Sequence, residues 1–303
     1  MFTKKRIKAD MKRNWSLYLM VIPVLAFYII FCYGPMYGAV IAFKNFSPGR
    51  GIWGSPWVGF NHFIDFFTGK DFFTVLFNTL RISFASIMFG FPAPILLALL
   101  INEVTSKKFA KSIQTVTYLP HFISLVVVCG MIKEFVSDTG FITNFLTIFG
   151  MKATNMLNEP EYFTSIYVIS GIWQEIGWGS IIYLAALAGV DQELYEAAQI
   201  DGAGRLRQTW NITIPSIMPT IITLFILRLG SIMNVGFEKI ILLYNPLSAE
   251  KAEVISSYVY NVGMLKAQYG FSTAVGLFNS VINCILVFGA NYISRKLNDT
   301  SLW

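Results

Sequence analysis

Charge is scarce in this chain of 303 residues: Asp, Glu, Lys and Arg together make up 13%, roughly half the share of a soluble domain. Histidine is scarcer still. With His62 and His121 alone, no set of imidazoles can hold a metal or assemble acid–base chemistry, and no metal site is expected. The patterns H-E-x-x-H and G-x-S-x-G are both missing, which removes the common zinc-protease and serine-hydrolase readings. Also lacking is G-x-x-x-x-G-K-[ST]; Gly69-Lys70 is followed by Asp71, so the chain has no phosphate-cradling loop of that kind. The three cysteines, Cys32, Cys129 and Cys284, all fall inside apolar runs and imply no disulfide framework. A membrane enzyme is therefore a weak reading.

What abounds is apolar. Hydrophobic residues reach 55% and the mean hydropathy is +0.58, which predicts an all-α polytopic membrane protein. Six runs are long enough to cross a hydrocarbon core of ~30 Å, which takes about 20 helical residues. They predict spans over 15–43, 73–102, 112–132, 163–189, 215–237 and 268–294. The first is too long for a signal-peptide core and lacks a small-residue cleavage site, so it is read as retained. Three runs carry one interior charge each: Arg81, Glu175 and Arg228. Arg81, near an outer end, is expected to snorkel outward.

Lysines and arginines set the orientation. With the N-terminus inside, thirteen fall inside, from the basic tail over 1–13 to Arg295 and Lys296. Eight fall outside, in longer segments, Lys239 and Lys251 among them. Both termini are thus expected to be cytoplasmic. The basic tail suits anionic lipid headgroups, and no nucleic acid partner is expected.

The orientation places the polar stretch over 191–215 on the cytoplasmic side. Asp191 to Ile200 is rich in helix formers, and Gly202 and Gly204 then give the backbone freedom to end that helix and turn. A second helical stretch follows, and Pro215 stands where a span can begin, because a first turn tolerates its missing N–H. The expected order is helix, hinge, helix, span. Glu196, Ala197, Ala198, Gly202, Ile212, Ile214 and Pro215 keep the spacing Glu-Ala-Ala, three residues, Gly, nine residues, Ile, one residue, an aliphatic and Pro.

That pattern resembles the signature loop of ATP-binding-cassette importer permeases, with Ile214 where leucine is usual. The runs GFPAPILLALLINEV (Gly90 to Val104), QTVTYLPHFISLVVV (Gln114 to Val128) and NVGFEKIILLYNP (Asn234 to Pro246) resemble the polysaccharide and complex-sugar branch of that family. The resemblance implies a type I importer permease fold and a place in the bacterial cell membrane. It implies a second, similar permease, two ATPase subunits that hold ATP and Mg, and an extracellular solute-binding protein. In that setting 191–215 docks on an ATPase and passes its motion to the spans, this chain having no cofactor of its own.

A polar belt inside the membrane supplies the candidate solute path. Gly171, Gln174, Glu175 and Trp178 repeat at i, i+3, i+4 and i+7 and share one helix face, with Trp173 beside them. Arg228, Ser231 and Asn234 stand in or after the fifth run, and Asn279 and Asn283 are four apart in the sixth. At 1.5 Å per residue, Glu175 lies about 22 Å from Val190, Arg228 about 20 Å from Pro215, and Asn283 and Asn279 about 18 to 24 Å from Arg295. These groups share one level, so a cavity lined by spans four, five and six is expected, with Glu175 and Arg228 as an ion pair. The alternative is a buried pair that only fixes helix packing. Pro120 should kink the third span, leaving His121 and Ser124 either to fill the polar gap or to touch solute. For an oligosaccharide, Trp178 and Trp173 would offer stacking faces and the amides hydrogen bonds. An osmolyte, peptide or amino acid cargo stays open, as does, further behind, an ATP-independent secondary transporter.

Overall fold

The computed structural model describes residues 13–298; the basic tail, Arg13 apart, lies outside the described residues. Every regular element among them is helical, with one antiparallel bridge between Lys44 and Trp57. Four helices are long and apolar enough to cross a membrane: α1 (Trp15–Phe43), α3 (Phe72–Asn102), α9 (Arg205–Leu229) and α12, which is helical over Tyr269–Asn298. The loop between the first two holds α2 (Asn61–Thr68). A pair of helices, α4 (Lys107–Phe122) and α5 (Leu125–Phe135), is long and apolar enough when taken together and is bent by 99° at the break between them. After the short α6 (Phe141–Thr147) comes α7 (Pro160–Ala188), whose 29 residues are long enough to span. It falls short of the apolar set because Gln174, Glu175 and several glycines interrupt it.

Two expected spans are built differently from the sequence reading. The third run is not one kinked helix. Its break falls at Ile123-Ser124, where the Ser124 hydroxyl accepts from Val127 N–H at 3.4 Å and caps a new helix leaving in another direction. The fifth does not begin at Pro215 or continue to residue 237. Helix α9 starts at Arg205, runs through Pro215 and stops at Leu229; Gly230 to Gly236 is irregular before α10 (Phe237–Leu243).

At three positions a proline passes inside these helices where the helix widens ahead of it. Proline cannot donate to the carbonyl four residues back and its ring clashes there. Three π-helical turns, Tyr28–Tyr33, Ser86–Gly90 and Thr209–Thr213, each end two residues before a proline: Pro35, Pro92 and Pro215. The wider i to i+5 pattern relieves that mismatch without ending the rod.

Three apolar clusters hold the helices together. At the end away from the polar loop, Ile82, Val128, Phe163, Ile240 and Val254 join α3, α5, α7 and α10. Phe66, Val75, Met233, Ile255 and Val275 form a second cluster, bringing in α2, α11 (Ile255–Tyr260) and α12. At the opposite end Ala98, Tyr183, Leu187 and Ile217 lock α3, α7 and α9 beside the polar loop.

Polar ties fix the end away from the polar loop. Asn78 donates to the Glu250 and Glu253 carbonyls at 2.8 and 3.0 Å. Arg81 donates to the Lys251 carbonyl at 2.7 Å, so it braces a loop where the sequence suggested snorkelling. Lys251 also pairs with Glu161 in the first turn of α7.

Candidate functional site

A cavity of about 550 Å³ opens where α7 crosses α3, α9 and the break between α4 and α5. Helix α7 supplies its polar wall: Gly171, Gln174, Glu175 and Trp178, the four residues that share one face, all line it. Arg228 lines it from the far end of α9. Ser231 and Asn234, again with Arg228, line a neighbouring cavity of about 260 Å³. Trp173, His121, Ser124, Asn279 and Asn283 line neither of these two.

The Glu175 carboxylate does not pair with Arg228. Among the described residues its ion-pair partner is His121, with Nδ1 3.0 Å from Oε2. The same imidazole lies flat on Trp178, ring centroids 4.4 Å apart and planes within 3°, while Phe122 meets the indole edge-on at 5.8 Å. One face of Trp178 is therefore already covered. Gln174 Nε2 donates to the Ile123 carbonyl at 3.4 Å, satisfying an acceptor that the helix break frees. The break thus decides the site, because it turns His121 and Ile123 towards α7.

Asn279 and Asn283 do other work. Both amides donate to Asn234 Oδ1, at 2.8 and 3.2 Å, and Asn283 Oδ1 accepts from Met233 N–H at 3.1 Å. They pin the irregular segment after α9 to α12; hydrogen bonds between membrane helices average about 0.6 kcal/mol each. A cycle of variants separates these roles. His121→Ala and Glu175→Gln are expected to be non-additive by about 0.5–1 kcal/mol, whereas Glu175→Gln and Arg228→Met should add within about 0.5 kcal/mol. Denaturation midpoints of the purified complex measure both.

Sequence reasoning missed Lys239. It counts as an outer-loop lysine when the fifth span is drawn as one helix, yet it is only 7% exposed and lines the larger cavity. Its Nζ donates to the Tyr167 carbonyl at 3.0 Å and lies 4.9 Å from the centre of that tyrosine ring. Gly236 ahead of the apolar run FEKIILL was the available signal for a helix restart.

The loop over 191–215 lies at the opposite end. Asp191 caps α8 (Gln192–Ile200), its Oδ1 accepting from Glu193 N–H at 3.0 Å. Gly202 ends the helix with φ +75°, a left-handed conformation that favours glycine. Glu196 and Ala197 are exposed, Ala198 is half-buried, and Ile212 and Ile214 turn inward while Pro215 faces out. Two side-chain bonds brace the loop to α9: Tyr195 to Thr213 at 3.0 Å, and Gln208 Nε2 to the Ala203 carbonyl at 2.7 Å. Arg205 pairs with Glu103 at the end of α3 at 3.6 Å. Around this frame Ile200, Leu206 and Trp210 stand 88%, 79% and 70% exposed, an apolar group the sequence reading did not single out.

An all-helical membrane chain with a polar cavity between its helices, and a braced loop at one end, has the architecture of a transport permease. The chain belongs to the binding-protein-dependent transport system inner membrane component family, whose pattern matches residues 90–299. It is similar to the polygalacturonan/rhamnogalacturonan transport system permease protein YteP of Bacillus subtilis (strain 168), 43% identical over 301 residues, 99% of this chain and 94% of the relative. Among solved structures it is similar to a chain of a bacterial ABC transporter involved in the import of the acidic polysaccharide alginate, with a TM-score of 0.89 and 46% identity over 97% of this chain and 99% of that one. The alginate transporter in complex with an alginate pentasaccharide-bound periplasmic protein gives 0.90 and 45%, covering 98% and 100%.

Proposed function

We infer that this chain is one permease half of an ATP-driven importer that carries an oligosaccharide or polysaccharide fragment across the membrane by alternating access. It pairs with a second, similar permease, receives its cargo from a solute-binding protein outside, and takes its energy from two ATPase subunits that bind ATP and Mg. The topology that serves this is six crossings with both termini cytoplasmic, α7 and the broken pair completing the set.

The observation that carries the reading is the loop. A charged, small-residue helix with Glu196 and Ala197 exposed and Ala198 half-buried, flanked by Ile200, Leu206 and Trp210, is a surface built for a protein partner. Motion imposed there has a rigid path to the cavity. Helix α9 is continuous from Arg205 to Leu229, so Arg228 rides about 35 Å along the same rod that starts inside the loop. Helix α7, which enters the loop at its other end, carries Gln174, Glu175 and Trp178. Closure of the ATPase pair would move both rods and open the cavity to alternate sides. The similarity to saccharide permeases gives the cargo class.

Reconstitution tests this directly. Co-expressed with its neighbouring permease and ATPase, the chain should be recovered in one complex whose ATP hydrolysis rises several-fold when a saccharide-loaded binding protein is added. Recovery of this chain alone, with solute flux that needs no ATP, would overturn the reading in favour of a secondary transporter.

A further inference from the structure

The single carboxylate on the wall of the larger cavity stands between two basic side chains and meets only one of them. Glu175 Oε2 lies 3.0 Å from His121 Nδ1, and the glutamate side chain is 56% exposed, which leaves it room to turn. On its other side is Lys239 of α10, buried, with Nζ donating to the Tyr167 carbonyl and no ion pair among the described residues. A buried ammonium has three donors and a large desolvation penalty, and one carbonyl and one ring answer only part of that need. Inside a membrane such a group normally pairs with a carboxylate.

One helical turn separates the two. Lys239 Nζ is 3.3 Å from the place a Cβ would take at Gly171, so the ammonium rests on bare backbone of α7. Glu175 is four residues further along the same face. Long side chains on a helix lean back over the residue four before them, and for Glu175 that residue is Gly171. The ammonium is therefore within reach of a carboxylate that has let go of His121. The two basic groups also ride on different parts of the molecule. His121 belongs to the break after α4, which presses on α7 where Gly177 meets the Thr117 carbonyl. Lys239 follows α9 through the irregular segment, which Asn283 ties to α12 at Met233. Movement of α9 against α7 changes one distance without the other.

We propose that Glu175 exchanges partners during transport: paired with His121 in the conformation described, it passes to Lys239 when α9 shifts against α7. Each pairing latches one state of the cavity. The exchange rests on the importer reading above and deepens it. A single partner would hold one state, whereas two partners leave the states near balance, so that a modest bias from the ATPase pair moves the population.

A lipid-soluble carbodiimide tests this in the unaltered complex. It condenses a carboxylate with a touching amine into an amide and takes up the water as a urea; an imidazole gives only an acyl adduct that hydrolyses. The reconstituted complex is treated once free of nucleotide and once trapped with ATP and vanadate, then digested and searched by mass spectrometry for the peptides joined through Glu175 and Lys239. The touching pair Lys251 and Glu161 serves as the control. The yield of the Glu175 link should differ by about fivefold or more between the two states, and His121→Ala, which frees the carboxylate, should raise the lower yield towards the higher. Equal yields in both states, no link in either, or a lower yield that His121→Ala leaves unchanged overturns the exchange and leaves the importer reading standing. Should His121→Ala fail to assemble, the two states of the unaltered complex decide. A complex that hydrolyses no ATP overturns the importer reading and the exchange with it.

Discussion

Gly177→Ala is expected to abolish transport and to lower the unfolding midpoint of the complex by roughly 5 °C or more, although it adds one methyl group. The reason is geometric. A Cβ at Gly177 would lie 2.0 Å from the Thr117 carbonyl oxygen, 2.3 Å from its carbon and 2.8 Å from Tyr118 N. All three are backbone atoms of α4, so no side-chain rotation makes room; one helix must move off the other. Tyr118 is three residues from His121, and any such displacement pulls the imidazole from Trp178 and Glu175. Small residues at membrane helix crossings exist to permit this approach. The matched control is Gly276→Ala in α12, where nothing stands within 4 Å of the added carbon. There the same change should leave transport and midpoint within error. Wild-type behaviour of Gly177→Ala would show that α4 yields freely, and with it the claim that the helix break is held in place would fall.

That crossing also marks how far the sequence could be read. The polar face of α7 follows from periodicity alone, because a carboxylate in a span must point inward, and its four residues do line one cavity. Counting rise per residue put Arg228 level with Glu175, and both border that space. Proximity, however, does not choose partners. Glu175 could be assigned to Arg228 because the third span was drawn as one helix kinked at Pro120; nothing local to that proline encodes a 99° change of direction three residues further on. Lys239 was misplaced for a related reason. The asparagine ties from Asn279 and Asn283 stabilise an unwound segment after Leu229 and return the chain as α10 against the cavity, a long-range effect no window around Gly230 reveals. Three of the π-helical turns were nearer to hand, since each sits just before a proline already visible in the sequence; the fourth, Asn261–Leu265, has none after it.

The loop's first helix and its stop at Gly202 were legible in the sequence, whereas its second helix runs on through Pro215 as the start of α9; the glycine carries the second large effect. Gly202→Pro is expected to reduce solute-stimulated ATP hydrolysis at least tenfold while leaving membrane insertion and basal hydrolysis by the ATPase subunits unchanged. At φ +75° the position is about 140° away from the angle proline requires. The substitution also removes the Gly202 N–H that donates to the Gln199 carbonyl at 3.0 Å and disturbs its neighbour, the Ala203 N–H bond to Ala198 at 2.8 Å. Together these set the angle at which α8 leaves the rod that begins at Arg205. A break there, worth about 3 kcal/mol, changes the direction of the lever without touching the cavity. Gly204→Ala is the contrast: with φ −69° and open space around it, it should couple normally. Gly202→Ala should fall between, because a left-handed alanine costs about 1 kcal/mol and can still make the bond. A graded series, proline worst, alanine intermediate and Gly204→Ala silent, ties coupling to backbone geometry at one residue. Full stimulation in Gly202→Pro would instead mean that motion reaches α7 and α9 by another route, and the helix, hinge, helix arrangement would lose its mechanical role.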